Sequence, residues 1–325
     1  MKSQNLAPDN RPAQSLAPGR KSKSEAASRV LPHLPPATGP DGRQGNDPAY
    51  DAFEEGRYLT ALSLAAKDAA KGSGVAHTLV ARIHAEGLGV PQNYVLAAQW
   101  YERGAALGDP EAMLGLGLLY ARGLGVKKDL VRAGDLIEKA ASKGHAEACY
   151  NLALLFLAGT GKPENPARAF LLMRYAAEQG VVAAMYDLGT LYATGTGSGI
   201  EPNAFEAAKW IGAAAREHYA EAELEYALIL FKGQGTPPDA RRAVAYLKSA
   251  SSKGLPVAQN RLARAYAGGI GVRANPVEAA KWHLIAKAGG VTDARLDEAF
   301  EKLSSADRLK AAQAAAQWRE AILFE

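Results

Sequence analysis

A repeat with a period of 36 residues runs through most of the chain and constrains its fold more than any other feature. Alanines recur at spacings of 36, 36, 36, 38, 36 and 36 residues, and we call the first six of them the origins of six repeats. A Gly-x-Gly stands eleven residues after each origin. A fixed period of this length is typical of solenoids, in which each unit buries its apolar face against its neighbours. The recurring alanines are Ala76, Ala112, Ala148, Ala184, Ala222, Ala258 and Ala294.

The first half of each repeat predicts an amphipathic helix. Apolar residues lie at the origin and four, seven and eight residues later, for example Ala112, Leu116, Leu119 and Tyr120, which is the spacing of one helical face. The residue five positions after the origin is always Ala or Gly, so we expect a neighbouring helix to approach closely there. The Gly-x-Gly is expected to end this helix, because glycine adopts the left-handed conformation without a Cβ clash.

The second half of each repeat predicts another helix with a regular N-cap. The expected caps are Asn93, Asp129, Asn165, Asn203, Asp239 and Asn275, whose side chains can accept an unpaired backbone N–H. Glu206 and Glu278 follow their caps by three residues, which predicts a bond back to the cap N–H. Most of these helices are expected to end at glycine, but the fourth has His218 at that position.

The repeat is bounded by two different kinds of segment. Residues 1–47 are rich in Pro, Ser and Ala without an apolar period, so we expect them to be a disordered tail. Residues 48–75 predict an N-terminal helical capping hairpin, residues 76–293 the six repeats, and residues 294–325 C-terminal capping helices, the last of them running through Trp318. Sealed ends are what a stacked array of repeats requires.

Charge and cysteine content exclude several classes of protein. The tail holds seven Lys/Arg and four Asp/Glu, which leaves 31 basic and 30 acidic residues elsewhere, so we expect no nucleic-acid partner. One cysteine excludes a disulfide framework, and no apolar run is long enough for a membrane span. The sequence shows no signal-peptide core, and the compartment stays open: cytoplasmic by default, or periplasmic or exported if an upstream signal is missing. The oligomeric state stays open.

At this point the residues resemble a known family. The segment Ala112–Val126, AMLGLGLLYARGLGV, and the segment Ala97–Gly108, AAQWYERGAALG, are similar to the two halves of the Sel1-like repeat, a relative of the tetratricopeptide repeat. The resemblance implies an all-α, right-handed α-solenoid of stacked helix–turn–helix repeats. It also implies a bacterial scaffold or adaptor that binds proteins, in signalling, envelope regulation or host interaction.

The sequence contains only weak matches to phosphate-binding, metal-binding and catalytic motifs. Gly159-Thr160-Gly161-Lys162 is not followed by the Ser or Thr of a phosphate loop, and the histidines lack the spacing of a helical metal site. Cys149 is interpreted as a small packing residue, and Trp100, Trp210 and Trp282 occupy one repeat position and are interpreted as core. We therefore expect no catalytic residues, no metal and no cofactor.

The resemblance directs attention to the first helices, which line the concave face in related solenoids. We expect a protein or peptide partner to bind the positions two, three, six and ten residues after the origins, interpreted as outside the core. The candidates are Arg82, Glu86, Arg122, Tyr150, Asn151, Tyr186, Asp187, Glu225, Lys232, Arg261 and Arg264. Tyr and Arg are enriched at binding hot spots. An ordinary solvated helix face is the alternative.

Two functions follow as hypotheses. The first is a non-enzymatic scaffold that binds a protein or peptide on its concave face. The second is an enzyme, such as a hydrolase acting on cell-envelope material, which would need scattered Ser, His and Asp residues to converge. A nucleophile within hydrogen-bonding distance of a base would support the second hypothesis.

Overall fold

Every element in the described part of the chain is an α-helix. The computed structural model describes residues 47–195 and 201–323, and these ranges contain sixteen helices and no strand. In chain order they are α1 (Pro48–Glu54), α2 (Tyr58–Ala70), α3 (Gly74–Glu86), α4 (Tyr94–Ala106), α5 (Pro110–Arg122), α6 (Leu130–Ser142), α7 (Ala146–Ala158), α8 (Pro166–Glu178), α9 (Val182–Thr194), α10 (Ala204–Arg216), α11 (Ala220–Lys232), α12 (Ala240–Ser252), α13 (Pro256–Gly268), α14 (Pro276–Ala288), α15 (Ala294–Glu301) and α16 (Ser305–Leu323).

The helices belong to two compact units, divided after Val181. The first unit holds α1 to α8 and the second holds α9 to α16. Inside each unit a helix packs mainly against the helices just before and just after it in the chain. Packing between nearest neighbours of this kind defines an all-α solenoid of helical hairpins. None of the helices in the described ranges has the length and apolar character needed to cross a bilayer.

The predicted N-caps of the second helices are confirmed. In each case the side-chain oxygen of the Asn or Asp accepts a backbone N–H from the first turn, as Asp129 does from Arg132 at 2.9 Å. These bonds satisfy donors that have no partner within the helix. The capped helices are α4, α6, α8, α10, α12 and α14.

The predicted bond from an acid back to the cap N–H is wrong. The Asn203 N–H donates instead to the Tyr192 carbonyl at 2.7 Å, and the other five caps donate to the equivalent carbonyl of their own first helix. The loop folds back onto the first helix, so the cap N–H already has a partner. Glu206 accepts the Trp210 indole N–H at 3.1 Å, and Glu278 lies near a lysine of its own helix.

The two glycines of Gly-x-Gly have different roles. The first ends its helix in the left-handed conformation, with φ of +74° at Gly123, which confirms the prediction. The second packs against the start of a second helix in the preceding hairpin, which the sequence analysis did not predict. A Cβ at Gly125 would lie 2.6 Å from the Val95 nitrogen, and a Cβ at Gly271 would lie 2.5 Å from the Ala240 carbonyl carbon. The predicted two-residue insertion near Ser198-Gly199 and the second glycine Gly197 lie outside the described residues.

His218 has the backbone conformation of the glycine that it replaces. Its φ is +58°, the one positive value at a non-glycine residue in the described ranges. The corresponding glycines Gly108, Gly144, Gly180, Gly254 and Gly290 have φ between +81° and +93°. The repeat therefore imposes this turn whichever residue occupies it, and the predicted equivalence is confirmed.

Small residues allow the two helices of a hairpin to approach, as predicted. A Cβ at Gly117 would lie 2.9 Å from Ile137 Cγ1, and Ala153 and Ala227 at the same register are fully buried. Close packing of this kind leaves no room for a larger side chain. Alanine is accordingly the most frequent residue in the core.

The three tryptophans that share a repeat position pack as the sequence indicated, but to different depths. Trp282 is buried and contacts Trp318 edge to face, with ring centroids 5.6 Å apart. Trp100 and Trp210 are partly buried, and a cation from the same helix covers each ring, as Arg103 does on Trp100 at 5.1 Å. The cations therefore shield ring surface that the core does not cover.

Helical hairpins flank the repeats at both ends. The first 46 residues of the predicted disordered tail lie outside the described residues, whereas Asp47 caps α1. The turn between α1 and α2 brings Phe53 edge to face with Tyr58. At the other end the Ser304 hydroxyl caps α16 by accepting the Asp307 N–H at 3.1 Å, and this helix extends beyond the predicted end at Trp318.

Candidate functional site

We call the side chains two, three, six and ten residues after each origin the first-helix face. In the first unit it includes Arg82, whose side chain is 13% exposed and pairs with Glu86 at 2.8 Å. The guanidinium also lies over the Phe53 ring. Asn151 donates to the Glu147 carbonyl of its own helix at 2.8 Å, Tyr150 is partly buried and Arg122 is exposed.

Several positions interpreted as outside the core are buried, so that part of the sequence interpretation is wrong. Leu79, Leu114, Leu118 and Leu154 are each at most 5% exposed. The physical reason is that the helices of adjacent hairpins bury more than one stripe of each first helix. Partly buried candidates such as Arg82 and Arg261 therefore share this face with buried apolar side chains, whereas Arg122 and Lys232 are exposed.

A polar cluster that the sequence analysis missed joins the first turns of α5 and α7. The His145 Nε2–H donates to Glu111 at 2.7 Å, while its Nδ1 accepts the Ala148 N–H at 3.2 Å and caps α7. In the neutral ring this bond places the proton on Nε2, because a protonated Nδ1 could not accept it. On α3 the Thr78 hydroxyl donates to the carboxylate of Asp109, the N-cap of α5. A signal was available, since Glu111 and Glu147 precede successive origins by one residue.

Burial perturbs the acids of this cluster. The pKa of Glu147 is raised to about 7, first by burial and then by the charge of Glu111, with His145 and Arg82 acting in the opposite direction. The pKa of the Tyr101 hydroxyl is raised well above its usual range by burial and by Glu111. Protons are therefore held here more tightly than in water, and part of the acidic charge is neutral below pH 7.

The first-helix face of the second unit is built around two arginines. Arg264 Nε donates to Asp293 at 2.6 Å, and Asn260 donates to the same carboxylate oxygen at 3.1 Å. Arg261 is partly buried, and its Nε has no hydrogen-bond partner within the described residues. Burial and then the charge of Arg264 lower the pKa of Arg261, and Asp293 acts in the opposite direction.

The remaining candidates of the second unit carry charges of both signs. Glu225 is partly buried, and burial raises its pKa while Lys232 acts in the opposite direction. Lys232 is exposed at the end of α11, and Asp187 is partly buried. The Tyr186 ring packs against Tyr219, with centroids 5.3 Å apart.

A buried carboxylate in the second unit has the side-chain types of a hydrolase but the wrong connectivity. Glu223 is fully buried and accepts from Ser249 at 2.7 Å, from Lys253 at 2.8 Å and from His218 at 3.2 Å. In a nucleophilic triad the hydroxyl donates to the histidine, and the acid orients the ring from the other side. Ser249 donates to the acid instead, so this cluster ties α11 to α12 and does not activate a nucleophile.

The other residues that the sequence analysis considered for chemistry have structural roles or are unreactive. Lys162, from the loop that resembles a phosphate site, bonds to Asp135 and Glu138 at 2.7 Å each. Cys149 is buried, and burial raises its pKa to about 11, which disfavours the reactive thiolate. Within residues 47–195 and 201–323 no three His, Cys, Asp or Glu side chains are grouped to hold a metal.

Comparison with known proteins agrees with the repeat register. The profile of the Sel1 repeat matches residues 74–109, 110–145, 146–181, 182–219, 220–255 and 256–291. The crystal structure of a Sel1 repeat protein from Oxalobacter formigenes is 30% identical with a TM-score of 0.63, and the alignment covers 76% of this chain and 98% of that one. The structure of c5321, a protective antigen of uropathogenic Escherichia coli with this repeat fold, is 24% identical with a TM-score of 0.53, covering 84% of this chain and 68% of that one.

The fold and the repeat matches together define a helical-repeat solenoid of the kind that commonly mediates protein interactions. More narrowly, the chain belongs to the Sel1 repeat family. The solved relative that is 30% identical comes from a bacterium, which supports a bacterial origin.

Proposed function

We propose that the protein is a non-enzymatic scaffold that binds an acidic segment of a protein or peptide partner through its first-helix face. The observation that carries this proposal is the environment of Arg261. Its Nε donor is buried without an acceptor among the described residues, which costs about 1–3 kcal/mol. A partner carboxylate would remove this cost once the side chain rotates toward it.

The chemistry of arginine determines the class of partner. A guanidinium presents Nε–H and a terminal N–H as a planar pair that matches a carboxylate, and arginine is enriched at binding hot spots. Arg264 is already paired with Asp293, so that pair is close to neutral, and Arg261 supplies both the net positive charge and the open donor. Lys232 is an exposed lysine on the neighbouring first helix.

The same proposal covers the first unit, where Arg122 and Tyr150 are the contact residues and the Arg82–Glu86 pair holds the surface in shape. The capped hairpins hold these side chains in place before a partner arrives, so binding loses little conformational entropy. The setting that we propose from the family resemblance is bacterial signalling, envelope regulation or host interaction.

The test compares two single substitutions in the full chain. The native gene carries a C-terminal tag, and cross-linked complexes are captured and identified by mass spectrometry from cells with the original sequence, Arg261→Gln or Arg273→Gln. Arg273 is an exposed loop arginine of the same unit and provides the matched control. The captured partner is then purified, and its acidic segment is titrated by calorimetry.

We expect a partner that binds the original chain and the Arg273→Gln variant and is weakened about tenfold or more by Arg261→Gln, the usual cost of a charged hot-spot contact. Equal binding by all three proteins would refute the first-helix face as the site. Hydrolysis of envelope material by the purified chain would refute the non-enzymatic role.

A further inference from the structure

A second surface, lined by residues other than those of the first-helix face, lies where α6 begins. A cleft of about 870 Å³ opens there in the first unit, between the loop after α5 and the first turn of α6. Val131 lines it with an unusually exposed apolar side chain, 63% accessible, and Tyr120 forms part of its wall. Lys127 and Lys128 lie at its edge, and both are exposed. The cleft thus combines apolar surface with positive charge.

The lysines are a departure from the repeat. At the same register the other repeats carry Pro91-Gln92, Pro163-Glu164, Glu201-Pro202, Pro237-Pro238 and Arg273-Ala274. The hairpin therefore forms without a pair of lysines, and nothing in its caps or turns depends on them. Val131 belongs to a row of exposed apolar residues, because Leu59 and Val95 occupy its register in the two preceding hairpins and are 63% and 56% accessible.

Among the described residues, the two lysines outnumber the one acid that lines the cleft. Asp129, the acid that lines the cleft, is the N-cap of α6 and accepts the Arg132 N–H. The Arg132 guanidinium stacks on Tyr120 and forms an exposed ion pair with Glu102 at 3.3 Å. The amino end of α6 adds the positive end of its dipole at the same place. The net potential of the cleft is therefore positive.

We infer that this cleft is an independent docking site for an acidic peptide segment that also carries apolar side chains. Carboxylates of the segment pair with Lys127 and Lys128, and an apolar side chain covers Val131 and the edge of Tyr120. The apolar row toward Val95 gives a longer segment further contacts in the same unit. This site does not include Arg261. Peptide binding at the cleft can therefore be observed even if Arg261→Gln has no effect on partner capture.

The experiment selects peptides directly. A phage-displayed library of random peptides is panned on the full chain, and selected peptides are synthesised with fluorescein and titrated by anisotropy. The variants are Lys127→Gln/Lys128→Gln and Val131→Ser. The matched control is Lys139→Gln/Lys143→Gln, which removes the same charge from exposed lysines at the other end of α6. Circular dichroism confirms that each variant retains its helices.

We expect selected peptides that combine Asp or Glu with apolar residues. Their binding should weaken about tenfold in the Lys127→Gln/Lys128→Gln variant, weaken further as salt is raised and remain unchanged in the control. Selection of no peptide, or of peptides indifferent to Lys127, Lys128 and Val131, would overturn the inference. Peptides that depend on Arg261 alone would support the proposed function and refute this second site. Retention on phosphatidylserine vesicles through the two lysines, without peptide selection, would replace the peptide by a lipid surface.

Discussion

Replacement of Gly271 by alanine tests the role that we assign to the second glycine of Gly-x-Gly. The structure brings Gly271 against the first residue of α12, so that a Cβ would lie 2.5 Å from the Ala240 carbonyl carbon and closer still to its oxygen. Gly254 provides a matched control in the same unit. Its φ is +85°, close to the +69° of Gly271, but a Cβ there would have no atom within 4 Å.

The two substitutions share one cost and differ in another. Alanine in the left-handed region costs about 1–2 kcal/mol, partly offset by about 0.4–1 kcal/mol from the lower entropy of the unfolded chain. We therefore expect Gly254→Ala to destabilise by about 1 kcal/mol. In Gly271→Ala the backbone of α12 must also retreat by roughly 1 Å, an overpacking cost of about 1–3 kcal/mol. The difference between the variants is about 2 kcal/mol.

Urea unfolding followed by circular dichroism measures that difference, and hydrogen exchange locates it. Because solenoid stability is a sum over neighbouring repeats, protection should fall first in α12 and α13 for Gly271→Ala. A Gly271→Ala variant no less stable than Gly254→Ala would refute the argument from close approach. Loss of protection spread evenly over both units would refute its locality.

Three further predictions concern side chains. Glu223→Gln should destabilise by about 1.5–3 kcal/mol, because Lys253 loses a charged partner, as measured by urea unfolding. His218→Gly should stabilise by about 0.5 kcal/mol, since glycine removes left-handed strain that exceeds the entropy gained by the unfolded chain, as measured by thermal melting. The raised pKa of Glu147 means that the folded state holds its proton more tightly than the unfolded state, so stability should fall as pH rises from about 4.5 to about 7. In Glu147→Gln that part of the pH dependence should disappear.

Each of these predictions has an outcome that contradicts it. Unchanged stability in Glu223→Gln would mean that Ser249 and Lys253 find other partners. A lower melting temperature in His218→Gly would mean that the bond from His218 to Glu223 outweighs the strain. The pKa of His145 is also raised, so its titration lowers stability with rising pH as that of Glu147 does. Glu147→Gln should therefore reduce the dependence of stability on pH without abolishing it. An identical pH profile with and without Glu147 would show that its carboxyl titrates normally.

Much of the fold followed from the sequence because its signals are local and repeated six times. The cap at Asp129, the helix end at Gly123 and the unusual turn at His218 each depend on backbone conformations within a few residues. Such preferences act before any tertiary contact forms. The period also placed the small residue Gly117 correctly, because close helix approach recurs at a fixed register.

Failures arose where a residue's partner is supplied by another helix. The predicted bond from Glu206 to its cap was wrong because the loop brings the cap N–H to a carbonyl of the preceding helix. Leu114 and Leu118 were interpreted as outside the core, since a single helical wheel does not show how many neighbours cover it. The register of Glu111 and Glu147 indicates two acids in successive repeats, but the bond from His145 to Glu111 joins residues 34 positions apart, and only the structure shows it.

The sequence by itself determined the repeat, its helices, their ends and the family, because each is encoded in residue types at short and regular spacing. Only the tertiary structure decided which polar groups are satisfied. It paired Arg264 with Asp293, left the Nε of Arg261 without an acceptor among the described residues and placed Lys127 in one cleft with Val131 and Tyr120. These differences depend on burial and on distances between helices, which residue type and repeat position do not specify.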